Sequence, residues 1–150
     1  MLTQDFKEFL ELLNKNQVEY LIVGGYAVAM HGYPRYTGDL DIWINANRET
    51  AAKMIKVLDE FGFGSLGLRQ ADFMESGNVI QMGYPPFRID ILTRADGVDF
   101  ADCYRNRVIV EHDGVIMPII NINDLQKNKA ATGRPKDLED LRNLNDTAPD

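Results

Sequence analysis

Residues 37–44 read TGDLDIWI and place two aspartates, Asp39 and Asp41, inside an apolar run rich in β-branched residues. Side chains two positions apart on a strand point to the same face of a sheet, so we expect the two carboxylates to lie side by side. The alternate, aliphatic residues then point the other way, into the core. Two adjacent carboxylates repel each other, whereas a bound cation would remove the repulsion. The segment therefore predicts a strand that carries a cation site.

A third aspartate interrupts a later apolar run, FRIDILT at 87–93, where Asp90 lies between two isoleucines. Taken alone, Asp90 could be paired with Arg88 or lie at a solvated edge of the sheet. Taken with the first two aspartates, it completes an oxygen-rich set of the kind that hard divalent cations prefer. Two Mg²⁺ ions about 4 Å apart can activate an attacking oxygen and stabilise a leaving one. The three acids therefore indicate a divalent-cation site.

The pair Gly24-Gly25 lies between an apolar segment, VEYLIV at 18–23, and the predicted start of a short helix. A strand, a glycine turn and a helix start leave backbone N–H groups free where phosphate oxygens can dock. Glycine also lets a phosphate approach the backbone closely. An ordinary tight turn is the alternative, and the chain has neither a Walker-type loop nor a dinucleotide-binding glycine pattern. The position of the pair, one short helix before Asp39, favours a phosphate site.

The rest of the chain predicts an α/β (α+β) fold, with a mixed β-sheet flanked by helices. Helical spacing or capping signals occur at 3–15, 26–32, 47–60, 99–104, 123–131 and 136–145, and strand patterns at 78–83, 87–93 and across the hairpin 107–120. The Gly-rich stretch 64–77 predicts no element. We expect one domain over 1–150, with the tail frayed from about residue 146.

The composition narrows the classes of function. The chain has 16 Lys and Arg against 23 Asp and Glu, a net charge of −7, which argues against extended nucleic-acid binding. The single cysteine, Cys103, cannot form an internal disulfide, and two histidines offer no zinc-ligand spacing. No apolar stretch approaches the roughly 20 residues needed to cross a bilayer, and the N-terminus is unlike a signal peptide. We expect a cytoplasmic protein without a membrane partner.

Two segments resemble a known family. VGGYAVAMHGYPRYTGDLDIWI, at 23–44, is similar to the signature of the DNA polymerase beta-type nucleotidyltransferase superfamily, a glycine turn followed by an Asp-x-Asp strand and a third acid on a later strand. LQKNKAATGRPKDLEDL, at 125–141, resembles a tail motif of minimal bacterial and archaeal nucleotidyltransferases related to the AbiEii toxin. The resemblance extends from about residue 18 to residue 144 and implies a nucleotidyltransferase-like fold.

The resemblance also implies an activity. The expected reaction is metal-dependent transfer of a nucleoside monophosphate from a nucleoside triphosphate such as ATP to a hydroxyl acceptor, with release of pyrophosphate. Asp39 and Asp41 match the metal-binding pair, and Asp90 matches the acid that binds one metal and helps to deprotonate the acceptor. Gly24 and Gly25 match the turn that lies against the phosphates. The implied cofactors are two Mg²⁺ ions, with Mn²⁺ as the alternative.

Further candidates for nucleotide binding lie in the tail. Lys129 and Asp137 match the tail lysine and acid of the family, and Arg134 adds a cation between them. Lys127 and Lys129 lie about 200° apart on a helix, so both cannot face the site, and the resemblance selects Lys129. We expect Asp137 and Asp140 to orient Lys129 or Arg134 through charge-assisted hydrogen bonds. The alternative is a helix–helix contact with surface ion pairs.

Arg35 and Thr37 precede the aspartates in a loop and are also candidates, Arg35 either for phosphate or acceptor contact or for balancing nearby acids. The sequence leaves the acceptor, the base and the oligomeric state open. A protein hydroxyl or an RNA end would fit a toxin–antitoxin role with a partner protein, and a small-molecule hydroxyl would fit antibiotic modification. A non-catalytic antitoxin or regulatory binding module is the alternative, which the three intact carboxylate positions disfavour.

Overall fold

The computed structural model describes residues 2–33, 37–84 and 86–147. Its helices are α1 Gln4–Lys15, α2 Gly24–Met30, α3 Arg48–Phe61, α4 Gln70–Met74, α5 Phe100–Arg105, α6 Ile122–Thr132 and α7 Pro135–Thr147, with a 3₁₀ turn at Gly64–Leu66. Its strands are β1 Tyr20–Val23, β2 Asp39–Ile44, β3 Val79–Tyr84, β4 Phe87–Leu92, β5 Val108–His112 and β6 Val115–Ile119. The chain is therefore a mixture of helices and strands, as its patterns predict.

The strands form one six-stranded sheet in the order β3-β4-β2-β1-β6-β5. β2 is parallel to β4 and β1 is parallel to β6, while the remaining neighbours are antiparallel. The predicted mixed sheet is thus confirmed. β1 is buried at all four positions, between β2 and β6, which explains why its sequence is continuously apolar instead of alternating.

Local signals set most of the helix boundaries. The side chains of Thr3 and Asn47 accept hydrogen bonds from the first turns of α1 and α3, and Asp99 does the same for α5. Gly62 ends α3 in the left-handed region at φ +93°. α7 continues to Thr147, and the rest of the tail predicted to fray lies outside the described residues.

The core is apolar, and it includes Trp43, which lies on the same face of β2 as the aspartates. Strand parity puts Trp43 on the same face as Asp39 and Asp41, yet its side chain is buried and packs edge-on against Phe100, with ring centroids 5.1 Å apart. Trp43 is therefore a core aromatic and does not offer a stacking platform. No helix among the described residues is long and apolar enough to cross a membrane.

Candidate active site

The three aspartates lie on neighbouring parallel strands. In the β2–β4 register Asp41 is opposite Asp90, and Asp39 is opposite Arg88. All four side chains line one cleft of about 760 Å³. Opposite residues of paired strands point to the same face, so the pairing of β2 with β4 brings together acids that are 49 positions apart in the sequence.

The arrangement disfavours the ionised form of Asp41. Its carboxyl group is within hydrogen-bonding reach of Asp90. Burial, followed by the negative charges of Asp90 and Asp39, raises the pKa of Asp41 to about 7. The positive charge of Lys129 acts in the opposite direction and lowers this pKa. Without a cation, the site therefore favours a proton on Asp41 near neutral pH.

Arg88 is a site residue that the sequence reasoning considered only as a pairing partner. Its Nε donates to Asp90 Oδ1 at 2.7 Å, and its Nη2 donates to Asp90 Oδ2 at 3.0 Å and to Asp39 Oδ2 at 3.1 Å. Asp90 is thus paired with Arg88, which was one of the two interpretations of its sequence position, and it also lines the cleft with the other two acids. The contact of Arg88 with Asp39 could not be foreseen, because it depends on the register of β2 with β4.

The glycine turn adjoins the acids. α2 begins at Gly24 directly after β1, and Val23, Gly24 and Gly25 line the same cleft. Gly24 has φ +65°, and a Cβ there would overlap with the carboxylate of Asp41. Both the backbone conformation and the close approach require glycine at this position.

A buried ion-pair network between α6 and α7, the α6–α7 network, contributes further residues to the lining of the cleft. Lys129 Nζ lies 2.9 Å from Asp137 Oδ1 and 3.1 Å from Asp140 Oδ2, with only 6% of its side chain exposed. Arg134 Nε donates to Asp137 Oδ2 at 2.8 Å, and its side chain is 74% exposed. Burial alone would raise the pKa of Asp137, but hydrogen bonds from Lys129 and Thr132 hold that pKa below its usual value.

The remaining predicted residues differ in whether they line the cleft. Lys127 is exposed and does not line this cleft, as its position on the helix predicts. Thr37 lines the cleft, and its hydroxyl donates to the backbone oxygen of Asp39 at 3.3 Å. Arg35 lies outside the described residues. Lys136, which belongs to the cluster of cations in the tail sequence, also lines the cleft, as does Arg94, which no sequence signal indicates.

The donor chemistry of the acids fits a hard divalent cation. No group of three or more His, Cys, Asp or Glu side chains is arranged to hold a metal ion as the described part of the chain stands. Arg88 donates hydrogen bonds to oxygens of Asp39 and Asp90, and the Asp41 carboxyl group is within hydrogen-bonding reach of Asp90. The set nevertheless consists of oxygen ligands only, and burial together with the charges of the neighbouring acids raises the pKa of Asp41. Carboxylate oxygens are the ligand type that Mg²⁺ and Mn²⁺ prefer.

Comparison with known proteins identifies the family and the fold. A family model described as "Nucleotidyltransferase of unknown function (DUF6036)" matches residues 1–145. The lincosamide antibiotic adenylyltransferase LnuA, solved with lincomycin bound, has 16% sequence identity and a TM-score of 0.62, covering 99% of each chain. No curated protein matches the chain in sequence.

Two further solved structures share the fold. A candidate nucleotidyltransferase from Thermotoga maritima has 16% identity and a TM-score of 0.58, covering 94% of this chain and 90% of its own. An antigenic nucleotidyltransferase-like protein from Paracoccidioides brasiliensis has 15% identity and a TM-score of 0.56, covering 97% and 77%. At these identities the structural matches establish a common fold, and the family model establishes the family.

Proposed function

The chain belongs to the DUF6036 family of nucleotidyltransferases, and on that premise we propose that it performs Mg²⁺-dependent transfer of a nucleoside monophosphate to a hydroxyl acceptor. The donor is a nucleoside triphosphate, and pyrophosphate leaves. The observation that carries the proposal is the grouping of Asp39, Asp41 and Asp90 in a cleft that Lys129 and Arg134 also line. Acids suited to divalent cations and cations suited to phosphates thus face one space.

Asp39, Asp41 and Asp90 are the residues that would hold the cation. When bound, divalent cations supply charge stabilisation at the phosphates and lower the pKa of an attacking hydroxyl. Asp90, which is buried beside Asp41, accepts the proton of that hydroxyl. The acceptor oxygen then bonds to the α-phosphorus, the bond from this phosphorus to the bridging oxygen breaks, and the bridging oxygen leaves with its electron pair as part of pyrophosphate.

The α6–α7 network contributes through position and charge. Arg134 is held by Asp137 through Nε, which leaves the exposed end of its guanidinium available to phosphate oxygens. Lys129 is buried, so its part is chiefly electrostatic: it lowers the pKa of Asp41 and favours the ionised carboxylate. The close fit of Gly24 against Asp41 keeps the glycine turn beside the acids.

The acceptor is a hydroxyl on a protein, on an RNA end or on a small molecule. A macromolecular acceptor would suit a toxin–antitoxin system of the AbiEii-related type, with a cytoplasmic partner protein. A small-molecule acceptor would parallel the lincosamide adenylyltransferase, whose name states that it acts on an antibiotic.

The test is transfer of an α-³²P label. The purified protein receives each labelled triphosphate, Mg²⁺, and in turn the protein, RNA and small-molecule fractions of a cell lysate. We expect label in one fraction, accompanied by pyrophosphate and abolished by EDTA. Asp90→Asn should lose the transfer, whereas Asp96→Asn, at another acid that lines the cleft, should retain it. Triphosphate binding without transfer to any fraction would instead indicate a non-catalytic binding module.

A further inference from the structure

Arg88 provides the positive charge that the carboxylates contact in this structure. It reaches Asp90 with two nitrogens and Asp39 with one of them, at 2.7 to 3.1 Å. These are oxygens that a divalent cation bound between the same carboxylates would need. We propose that Arg88 is a positioning residue that neutralises Asp39 and Asp90 before the cation binds and releases both when it arrives. The inference rests on the proposed function, because it takes these aspartates as the cation ligands.

The strand register places Arg88 beside both Asp39 and Asp90. It lies opposite Asp39 in the parallel β2–β4 register and two positions before Asp90 on the same face of β4. An arginine remains protonated at any pH the protein experiences, so it cannot release the acids by losing its proton. Cation binding must therefore displace the guanidinium physically.

The surroundings of Arg88 permit that movement. Its side chain is 24% exposed, so the guanidinium has a route to solvent, in contrast to the ammonium of Lys129. On the other side of Arg88, its register partner on β3 is Gly83, which has no side chain to block a swing away from Asp39. The carboxylate of Asp39 is 40% exposed, so this contact is the more easily opened of the two.

The geometry also explains why the residue would be arginine. Two nitrogens of a planar guanidinium engage both oxygens of Asp90 while one of them also reaches Asp39. A lysine ammonium is a single charged point and cannot reproduce this fork. Arg88 would hold the acids in the places they need for the cation, at the expense of cation affinity.

Mn²⁺ titration followed by electron paramagnetic resonance, without nucleotide, tests the proposal. The wild type is compared with Arg88→Ala, Arg88→Lys and the control Arg94→Ala, which removes another positive charge from the cleft. We expect Arg88→Ala to bind Mn²⁺ about tenfold more tightly than the wild type, because no charged hydrogen bonds must break. Arg88→Lys should be intermediate, and Arg94→Ala should resemble the wild type.

Thermal unfolding gives a second measurement. In metal-free buffer Arg88→Ala should melt at a lower temperature than the wild type, because its carboxylates lose their counter-charge, and Mn²⁺ should raise its Tm by more than that of the wild type. A residue that only supports the fold would lower the Tm and weaken Mn²⁺ binding together.

The outcomes distinguish the two proposals. If the wild type binds Mn²⁺ and Arg88→Ala binds it equally or less tightly, the role of Arg88 is overturned and the cation site stands. If Arg94→Ala gains as much affinity as Arg88→Ala, the effect is general charge and the inference again fails. If neither the wild type nor Arg88→Ala binds Mn²⁺, the proposed cation site fails, and the inference fails with it. Arg88→Lys decides the question if Arg88→Ala does not fold.

Discussion

Gly24 and Asp41 are packed so closely that the glycine has no room for a side chain: a Cβ at Gly24 would overlap with the Asp41 carboxylate. The glycine turn after β1 and the acid on β2 are therefore one packing unit. Val23 pairs directly with Asp41 in the antiparallel β1–β2 register, which fixes their relative position. A change on either side of this contact is expected to act on both the turn and the acid.

Gly24→Ala tests this contact. Gly24 and Gly32 both have positive φ, +65° and +101°, but nothing lies within 4 Å of a Cβ at Gly32. Gly32→Ala should therefore lower the free energy of unfolding by backbone strain alone, on the order of 1 kcal/mol. Gly24→Ala should lower it further, and it should also weaken triphosphate binding, which calorimetry measures. Equal losses in the two variants would show that the contact with Asp41 is unimportant.

The raised pKa of Asp41 predicts a pH dependence of stability in metal-free protein. The pKa is about 7 in the folded state and near its ordinary 3.8 in the unfolded state. Between these values the folded protein holds a proton that the unfolded chain lacks, so this group's contribution makes the protein less stable as pH rises from about 4 to 7. Asp41→Asn should flatten that part of the curve in urea unfolding with EDTA, and an unchanged slope in this variant would contradict the prediction.

Asp39→Asn and Asp41→Asn should differ in stability although both should abolish nucleotide transfer. From the sequence, each substitution should leave stability unchanged or raise it, because it relieves repulsion between carboxylates. The structure changes this expectation for Asp39, which accepts a hydrogen bond from Arg88. We now expect thermal unfolding in metal-free buffer to show a higher Tm for Asp41→Asn and an equal or lower Tm for Asp39→Asn. A higher Tm for both would mean that the Asp39–Arg88 contact contributes nothing.

Lys129→Ala should be strongly destabilising, whereas Lys127→Ala should not. Removal of the Lys129 ammonium leaves the buried carboxylates of Asp137 and Asp140 without their shared cation, a loss of about 3–5 kcal/mol for a broken buried ion pair. Lys127 is exposed on the same helix and serves as the matched control. Chemical unfolding measures the stability of both variants. Triphosphate binding to the folded fraction should fall for Lys129→Ala, because the cleft loses a positive charge.

Much of the fold follows from local pattern. Period-2 alternation placed Asp39 and Asp41 on one face of β2, and side-chain caps such as Asn47 marked helix starts within one residue. The Gly-rich stretch at 64–77 could not be predicted, because its 3₁₀ turn and α4 are short and are stabilised by packing against α3 more than by their own propensity.

The sequence led us to expect which residues belong to the site, but not the contacts and burial that strand register and helix packing decide. The Arg88–Asp39 contact needs the β2–β4 register, which no local pattern specifies. The burial of Lys129 needs α7 to pack on α6, whereas composition alone would place a lysine on a solvated face. The family resemblance identified Lys129, but only the structure shows that its ammonium is enclosed by two carboxylates.

The order in which the chain is synthesised limits when each part of the site can form. β2 and β4 can pair once residue 92 has been made, but β1 must wait for β6 at its other side, and Lys129 must wait for Asp140. A growing polypeptide that stops before residue 140 would carry the acids without the enclosed ammonium that lowers the pKa of Asp41. We expect nascent chains on the ribosome to be inactive until that helix emerges, so that activity itself reports the completion of folding.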